Sequence, residues 1–320
     1  MNIKKIGLTA LAASLVSVSA HAGEMTVAGS ASVGLKNNSG VDAGKAITMG
    51  NQLTFSGGGE LDNGLNVALS FVIDQADGVT AGTAPFDSHS ITISSDAMGS
   101  VVIAGEGAGN AQSALDTTAA GDIWDNGFAA GAADTAYIAM AGSDASDNSV
   151  NYTLPTLMDD LSISASYSSG GAAVQSTTAF AATYTGVEGL SVSYGAGEAG
   201  STTATASGDV TTMKASYAIG SFTAAVSNTE SDKDSTGTDE EMDSWNLSYT
   251  VSENLSISYG EETHETSAQA VDEEFEAISV SYTTGGMTIT AANYEASGIA
   301  NTAGEAGEAN RWKLGASFAF

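Results

Sequence analysis

Most of the chain is written in a period of two. Met25, Val27, Gly29, Ala31, Val33 and Leu35 alternate with Thr26, Ala28, Ser30, Ser32, Gly34 and Lys36. Such alternation predicts strands with one apolar and one polar face. Leu53 and Phe55 open a second apolar face. The turn Leu61-Asp62-Asn63-Gly64 leads into Leu65, Val67, Leu69, Phe71 and Ile73. Asp-Asn-Gly is hairpin chemistry, because Asn and Gly tolerate positive φ. Segments around Ile91 and Ile93, then Val101 and Ile103, follow before a long interruption from Glu106 to Asp147. Alternation resumes at Ser149–Pro155, Leu161–Ser168, Thr177–Thr185 and Leu190–Gly197. It continues through Asp209–Ala218, Ser221–Asn228, Glu241–Thr250, Asn254–Glu261, Glu274–Tyr282 and Met287–Glu295. The last segment, Arg311 to Phe320, puts Trp312, Leu314, Ala316, Phe318 and Phe320 on one parity. The pattern predicts sixteen strands, joined alternately by short turns and longer polar loops.

An even count with that asymmetry predicts an all-β fold: a 16-stranded antiparallel transmembrane β-barrel. Only a closed barrel lets strands cross lipid with every backbone group paired. Tyr152, Tyr184, Tyr217, Tyr249 and Tyr282 recur every 32 or 33 residues, each just before a short turn. Phe320 completes the series, and Tyr167, Tyr194 and Tyr259 are assigned to the opposite strand ends. Two aromatic rings at two depths form an interfacial girdle. No Lys or Arg falls on the apolar parity of the strands so drawn, in keeping with a cost of about 2–4 kcal/mol at a bilayer midplane.

The first 22 residues stand apart. Lys4 and Lys5 precede an apolar run from Ile6 to Val18, and Ala20-His21-Ala22 is a small-x-small cleavage site. This predicts a secretory signal peptide over 1–22 and a barrel over 23–320. With no cysteine in the chain, export brings no disulfide framework. The net charge of −30 excludes nucleic acid as a partner, since that needs a basic footprint. Two histidines remain after cleavage, His89 and His264. No histidine pair suits zinc. His89 shares parity with Ile91 and Ile93 on the lipid side, and Ile91 stands where outer-membrane phospholipases carry a serine. No enzyme is expected.

The ending resembles the terminal signal of Gram-negative outer-membrane barrels, with Trp312, Leu314, Phe318 and Phe320 as the residues read by the assembly machinery. The stretches NQLTFSGGGELDNGL (51–65), MGSVVIAGEG (98–107), DNSVNYTLP (147–155) and LSISASYS (161–168), in this order and spacing, extend the likeness. Together they resemble Gram-negative general diffusion porins, most closely the sixteen-stranded trimeric porins of alphaproteobacteria. The resemblance implies a bacterial outer-membrane location, contact with outer-membrane lipid, a homotrimer latched by the second loop (Asp74–Asp87), and an inward-folded third loop that narrows the pore. Here that loop runs from Glu106 to Asp147 and holds Glu106, Asp116, Asp122, Asp125 and Asp134. Gly105, Gly107 and Gly109 allow a sharp turn, and Trp124 and Phe128 are candidate anchors. Small outward residues such as Gly29 and Ala31 are expected to let barrels approach closely.

The family sets arginines on the wall opposite that loop, whereas this chain has one arginine, Arg311. By parity Lys36, Lys214, Arg311 and Lys313 face the lumen, and Lys36, Arg311 and Lys313 can meet where first and last strands close. The sequence therefore favours a net negative, cation-preferring pore over a strong transverse field. Acidic segments Glu230–Glu241 and Glu261–Glu276 read as solvated loops, or as a vestibule that concentrates cations and could coordinate Ca²⁺. No other cofactor is implied. The reading is a water-filled passive channel for small hydrophilic solutes and ions. The alternatives are a surface structural or adhesive barrel without significant conductance, and a channel dedicated to one substrate.

Overall fold

The computed structural model describes residues 25–40, 43–74, 88–106, 109–125, 148–170, 175–200, 207–234 and 238–320. They form sixteen strands. The first eight are β1 (Thr26–Gly40), β2 (Gly44–Glu60), β3 (Asn66–Asp74), β4 (Ser88–Ser95), β5 (Gly99–Glu106), β6 (Ser149–Thr153), β7 (Leu161–Ser168) and β8 (Thr177–Val187). The second eight are β9 (Leu190–Ala199), β10 (Gly208–Ile219), β11 (Phe222–Lys233), β12 (Glu240–Ser252), β13 (Leu255–Thr266), β14 (Glu273–Thr284), β15 (Met287–Ser297) and β16 (Ala309–Ala319). Each strand pairs with its sequence neighbours, and β1 pairs antiparallel with β16 to close the barrel. The predicted signal peptide and most of the second loop lie outside the described residues.

The two parities separate as the alternation requires. Val192, Tyr194, Met213, Tyr217, Val226, Trp245, Leu247, Ile278, Tyr282, Leu314 and Phe318 are exposed, while Ser193, Thr212, Ser227, Ser244 and Glu262 are buried. This is the reverse of a water-soluble protein: the apolar face looks out and the polar face looks into the closed barrel. The five spaced tyrosines sit within the last four residues of β6, β8, β10, β12 and β14. Gly64, in the Asp-Asn-Gly turn, has φ of 79°, as that chemistry demands.

Closure involves the chain end directly. Gly29 N–H donates to Phe320 O at 2.7 Å, and Phe320 N–H donates to Gly29 O at 2.9 Å. The Phe320 ring lies over Gly29, where a Cβ would collide with it. The small size of Gly29 thus seats this chain's own terminal ring, which corrects its assignment to close approach between barrels.

Three further expectations change. Lys45 lies on the parity of Ile47 and Met49, opposite Asn37, because β2 begins at Gly44. It is placed at the strand's end, where a long side chain can reach polar surroundings. The acidic segments Glu230–Glu241 and Glu261–Glu276 are strand at both ends: β11 reaches Lys233, β12 starts at Glu240, β13 reaches Thr266 and β14 starts at Glu273. The ladder continues beyond the apolar band, where both faces are polar and alternation gives no signal. Glu241 consequently points outward and accepts from Asn228 Nδ2 at 2.7 Å, so it belongs to the outer surface and not to a vestibule. Tyr194 and Tyr259 likewise sit near the middle of strands longer than expected.

Candidate functional site

Residues 109–125, between β5 and β6, form no strand and one short 3-10 turn, so their backbone groups need partners elsewhere. The polar faces of the strands supply them. Asn148 N–H donates to Gly105 O at 3.2 Å and closes the neck of the loop. Asn151 Nδ2 of β6 then donates to Gly109 O at 3.0 Å. Ala111 N–H donates to Ser166 Oγ of β7 at 2.9 Å, and Gln112 Nε2 donates to Thr212 Oγ1 of β10 at 2.8 Å. Ala119 N–H reaches Ser227 Oγ of β11 at 2.8 Å, and Ala120 N–H reaches Ser244 Oγ of β12 at 2.9 Å. The serine- and threonine-rich polar parity is therefore a row of acceptors for one extended segment.

Glu262 of β13 is the most heavily used acceptor. It takes Thr118 Oγ1–H and Ile123 N–H on one carboxylate oxygen, the latter at 2.9 Å, and Trp124 N–H on the other at 2.8 Å. Its side chain is 1% exposed, so these donors replace the water it has lost. Just beyond, Ile123 enters an apolar cluster with Phe275, Ala296, Ile299 and Ala309, against which Trp124 and Tyr294 also pack. Two wall positions are glycine where the segment passes. A Cβ on Gly195 would meet Leu115 Cδ1 at 3.2 Å, and one on Gly260 would meet Ala120 Cβ at 2.7 Å.

The sequence-derived acids do not gather at one point. Asp116 and Asp122 stand close enough to interact with each other and with Lys214. Asp122 holds a left-handed backbone, φ 55°, and its Oδ1 accepts Thr118 N–H at 2.8 Å. Asp125 ends a single 3-10 turn, Ile123–Asp125, beside Trp124. Glu106 ends β5, and its side chain is not described. Asp134 and Phe128 lie outside the described residues.

Burial first, and then the charge of Asp122, raises Asp116 from 3.8 to about 6. Its carboxylate is therefore charged at pH 7 and mostly protonated at pH 5. Because the folded value lies above the unfolded one, raising pH through this window costs stability while adding a negative charge to the segment. The cation preference expected from the sequence would accordingly weaken between pH 7 and pH 5. Zero-current potentials recorded across that range check this, and Asp116→Asn is expected to flatten the step.

The four lumen-parity bases fall in two places. Lys36 of β1 lies opposite Lys313 of β16, and Arg311 lies opposite Asn38 and donates to its Oδ1 at 2.6 Å. Those three meet at the barrel seam. Lys214 of β10 does not join them: its Nζ donates to Thr117 O beneath the loop segment. It serves there as a tether for the segment that carries the acids.

Glu262, Ile123, Phe275, Gln112 and Thr118 escaped the sequence reading. Phe275 carried a signal, since it is an aromatic on the polar parity of β14. Near the cluster, the β15–β16 connection is fixed by Ala300 N–H donating to Glu273 Oε1 at 2.7 Å, while Glu273 Oε2 lies 3.0 Å from buried His264 Nδ1. Among the described residues no group of three or more His, Cys, Asp or Glu is placed to hold a metal ion.

Residues 7–320 match the family model described as Gram-negative porin. No curated protein matches this chain in sequence. Among solved structures, the anion-selective porin of Comamonas acidovorans is 16% identical with a TM-score of 0.66, over 93% of this chain and 99% of that one. A mutant of the Rh. blastica porin is 14% identical with a TM-score of 0.67, over 93% and 100%. OmpT, an outer membrane protein of Vibrio cholerae, is 16% identical with a TM-score of 0.64, over 93% and 98%. At such identities the likeness is one of fold.

Proposed function

The chain belongs to the Gram-negative porin family, whose members are channels of the bacterial outer membrane, and from that premise we propose that it is a passive diffusion pore for small hydrophilic solutes that prefers cations. The observation that carries this reading is the segment 109–125. Its hydrogen bonds to the polar faces of β7, β10, β11, β12 and β13 support a third loop folded into the lumen, bearing Asp116, Asp122 and Asp125 where the passage is narrowest. Carboxylates in a narrow, partly desolvated passage raise the local cation concentration and repel anions. The anion-selective Comamonas relative shares the fold at 16% identity, so selectivity in this chain follows from its own charges. Conductance of the purified protein in a planar bilayer tests the reading. Its absence would favour the alternative, a surface structural barrel.

A homotrimer is part of the same proposal. Residues 25–106 contain neither Tyr nor Trp, whereas β6 to β16 carry both on the outward face. A lipid-facing sector without interfacial aromatics suits a wall covered by a second copy. Phe55 and Phe71 stack there with centroids 5.7 Å apart. Cross-linking in mild detergent is the corresponding test.

Trp312, Leu314, Phe318 and Phe320 are assigned to recognition by the assembly machinery. Phe320 also covers Gly29 at the seam. Deleting Phe320 is expected to lower the folded yield in cells and to leave the conductance of refolded protein nearly unchanged. Normal membrane levels of the deletion would count against this role.

A further inference from the structure

We propose that the lumen wall carries a subsite for a small hydroxylated anion of the sugar-acid class, where β1, β15 and β16 meet. The proposal rests on the channel reading, because the solute must enter the barrel to reach it. Strand register lays out the site. Gly315 of β16 lies opposite Gly34 of β1 on one side and Thr290 of β15 on the other, and Gly34 lies opposite Thr48 of β2. One row toward the chain end, Ser317 lies between Thr288 and Ser32. One row the other way, Lys313 lies between Ala292 and Lys36. All of these are on the polar parity.

Two adjacent glycines leave a hollow in that wall. Its volume is about 320 Å³, and its lining includes the five hydroxyls just named, Lys313 and Tyr294. This is at the lower end of the roughly 300–1,000 Å³ range of small-molecule sites. No Asp or Glu lines it, although the chain has 38 acidic residues. Each wall hydroxyl can both donate and accept, which matches the hydroxyl groups of a polyol. The Lys313 ammonium at one edge, with Lys36 beside it, places positive charge where a carboxylate would form a charge-assisted hydrogen bond. The Tyr294 ring offers an apolar surface to the C–H groups of the same solute. A neutral sugar would satisfy the hydroxyl rows alone, and an amino sugar would bring its ammonium against Lys313.

Gluconate, glucose and glucosamine share a six-carbon skeleton and differ in charge, so they serve as probes. Single-channel current in KCl is titrated with each, and each variant is referenced to its own current in KCl alone. Gluconate is expected to reduce the current saturably at a concentration about tenfold lower than glucose, with glucosamine weakest. Lys313→Gln is expected to bring gluconate to the level of glucose. Gly315→Leu is expected to weaken both, by filling the hollow. A Cβ at Gly315 meets nothing nearer than Val33 O at 3.8 Å, and its backbone is not left-handed. Lys313→Gln alters charge without adding bulk, so it decides the question even if the glycine variant assembles poorly. Equal block by all three solutes, or an unchanged preference for gluconate in Lys313→Gln, would overturn the subsite while leaving the channel reading intact. A protein with no conductance at all would overturn the channel reading, and the subsite with it.

Discussion

Replacing Glu262 by alanine is expected to loosen the loop segment 118–125 and to convert a quiet open channel into a noisy one. The buried carboxylate accepts from Thr118 Oγ1, Ile123 N and Trp124 N. Leaving a buried donor without a partner costs about 1–3 kcal/mol. Two backbone donors orphaned together therefore put about 2–6 kcal/mol against the docked arrangement, enough to populate undocked ones. The apolar cluster of Ile123 with Phe275, Ala296, Ile299 and Ala309 remains, so complete release is not expected. Excess current noise in single-channel records is the readout. Glu265→Ala is the control, since Glu265 is exposed on the same strand. Glu262→Gln is expected to be intermediate, because one oxygen still accepts while the new amide N–H₂ faces a backbone donor. Wild-type noise in Glu262→Ala would remove this carboxylate from its anchoring role.

The second large effect concerns charge. Changing Asp116, Asp122 and Asp125 together to Asn is expected to move the zero-current potential in a KCl gradient toward zero. At an effective dielectric near 20, one charge at 4 Å is worth about 4 kcal/mol, and the interaction falls steeply with distance and salt. On the proposed reading, three carboxylates on one segment outweigh Lys214 beneath them, with Lys36, Arg311 and Lys313 gathered at the seam. Asn preserves the acceptor that Asp122 offers to Thr118 N–H, so the change is mainly electrostatic. Neutralising Glu240 and Glu241 is expected to matter much less, because Glu241 points outward beside Asn228 and Glu240 opens β12, four positions before Ser244 where the segment docks. An unchanged potential in the triple variant would place the source of selectivity elsewhere.

The barrel was legible because its physics is local. A strand in a membrane wall must alternate, and sixteen alternating segments ending in Trp312, Leu314, Phe318 and Phe320 leave few other architectures. The signal fades where strands leave the apolar band. Glu230, His264 and Glu273 fall outside the segments that alternation marked as strand, yet all three are paired in the ladder. The docking of the third loop was less accessible. Acids in a long glycine-bounded segment marked it as a candidate, but the residue that holds it, Glu262, lies 139 positions from Ile123. Parity separates that carboxylate from its outward neighbour Glu265, but nothing local to β13 names the backbone donors it accepts from. Lys214 was assigned to the lumen by parity, but parity cannot tell a wall opposite the loop from the wall beneath it. Gly29 shows the same limit: its lack of a side chain was evident, and what fills the space came from the other end of the chain.

The most direct measurement is the zero-current potential of the wild-type protein across a KCl gradient at neutral pH, in a planar bilayer. A cation-preferring pore lets K⁺ run ahead of Cl⁻, so the dilute side is expected to become positive, and less so as both salt concentrations are raised. A dilute side that becomes negative would make the pore anion-selective and contradict the role given to Asp116, Asp122 and Asp125.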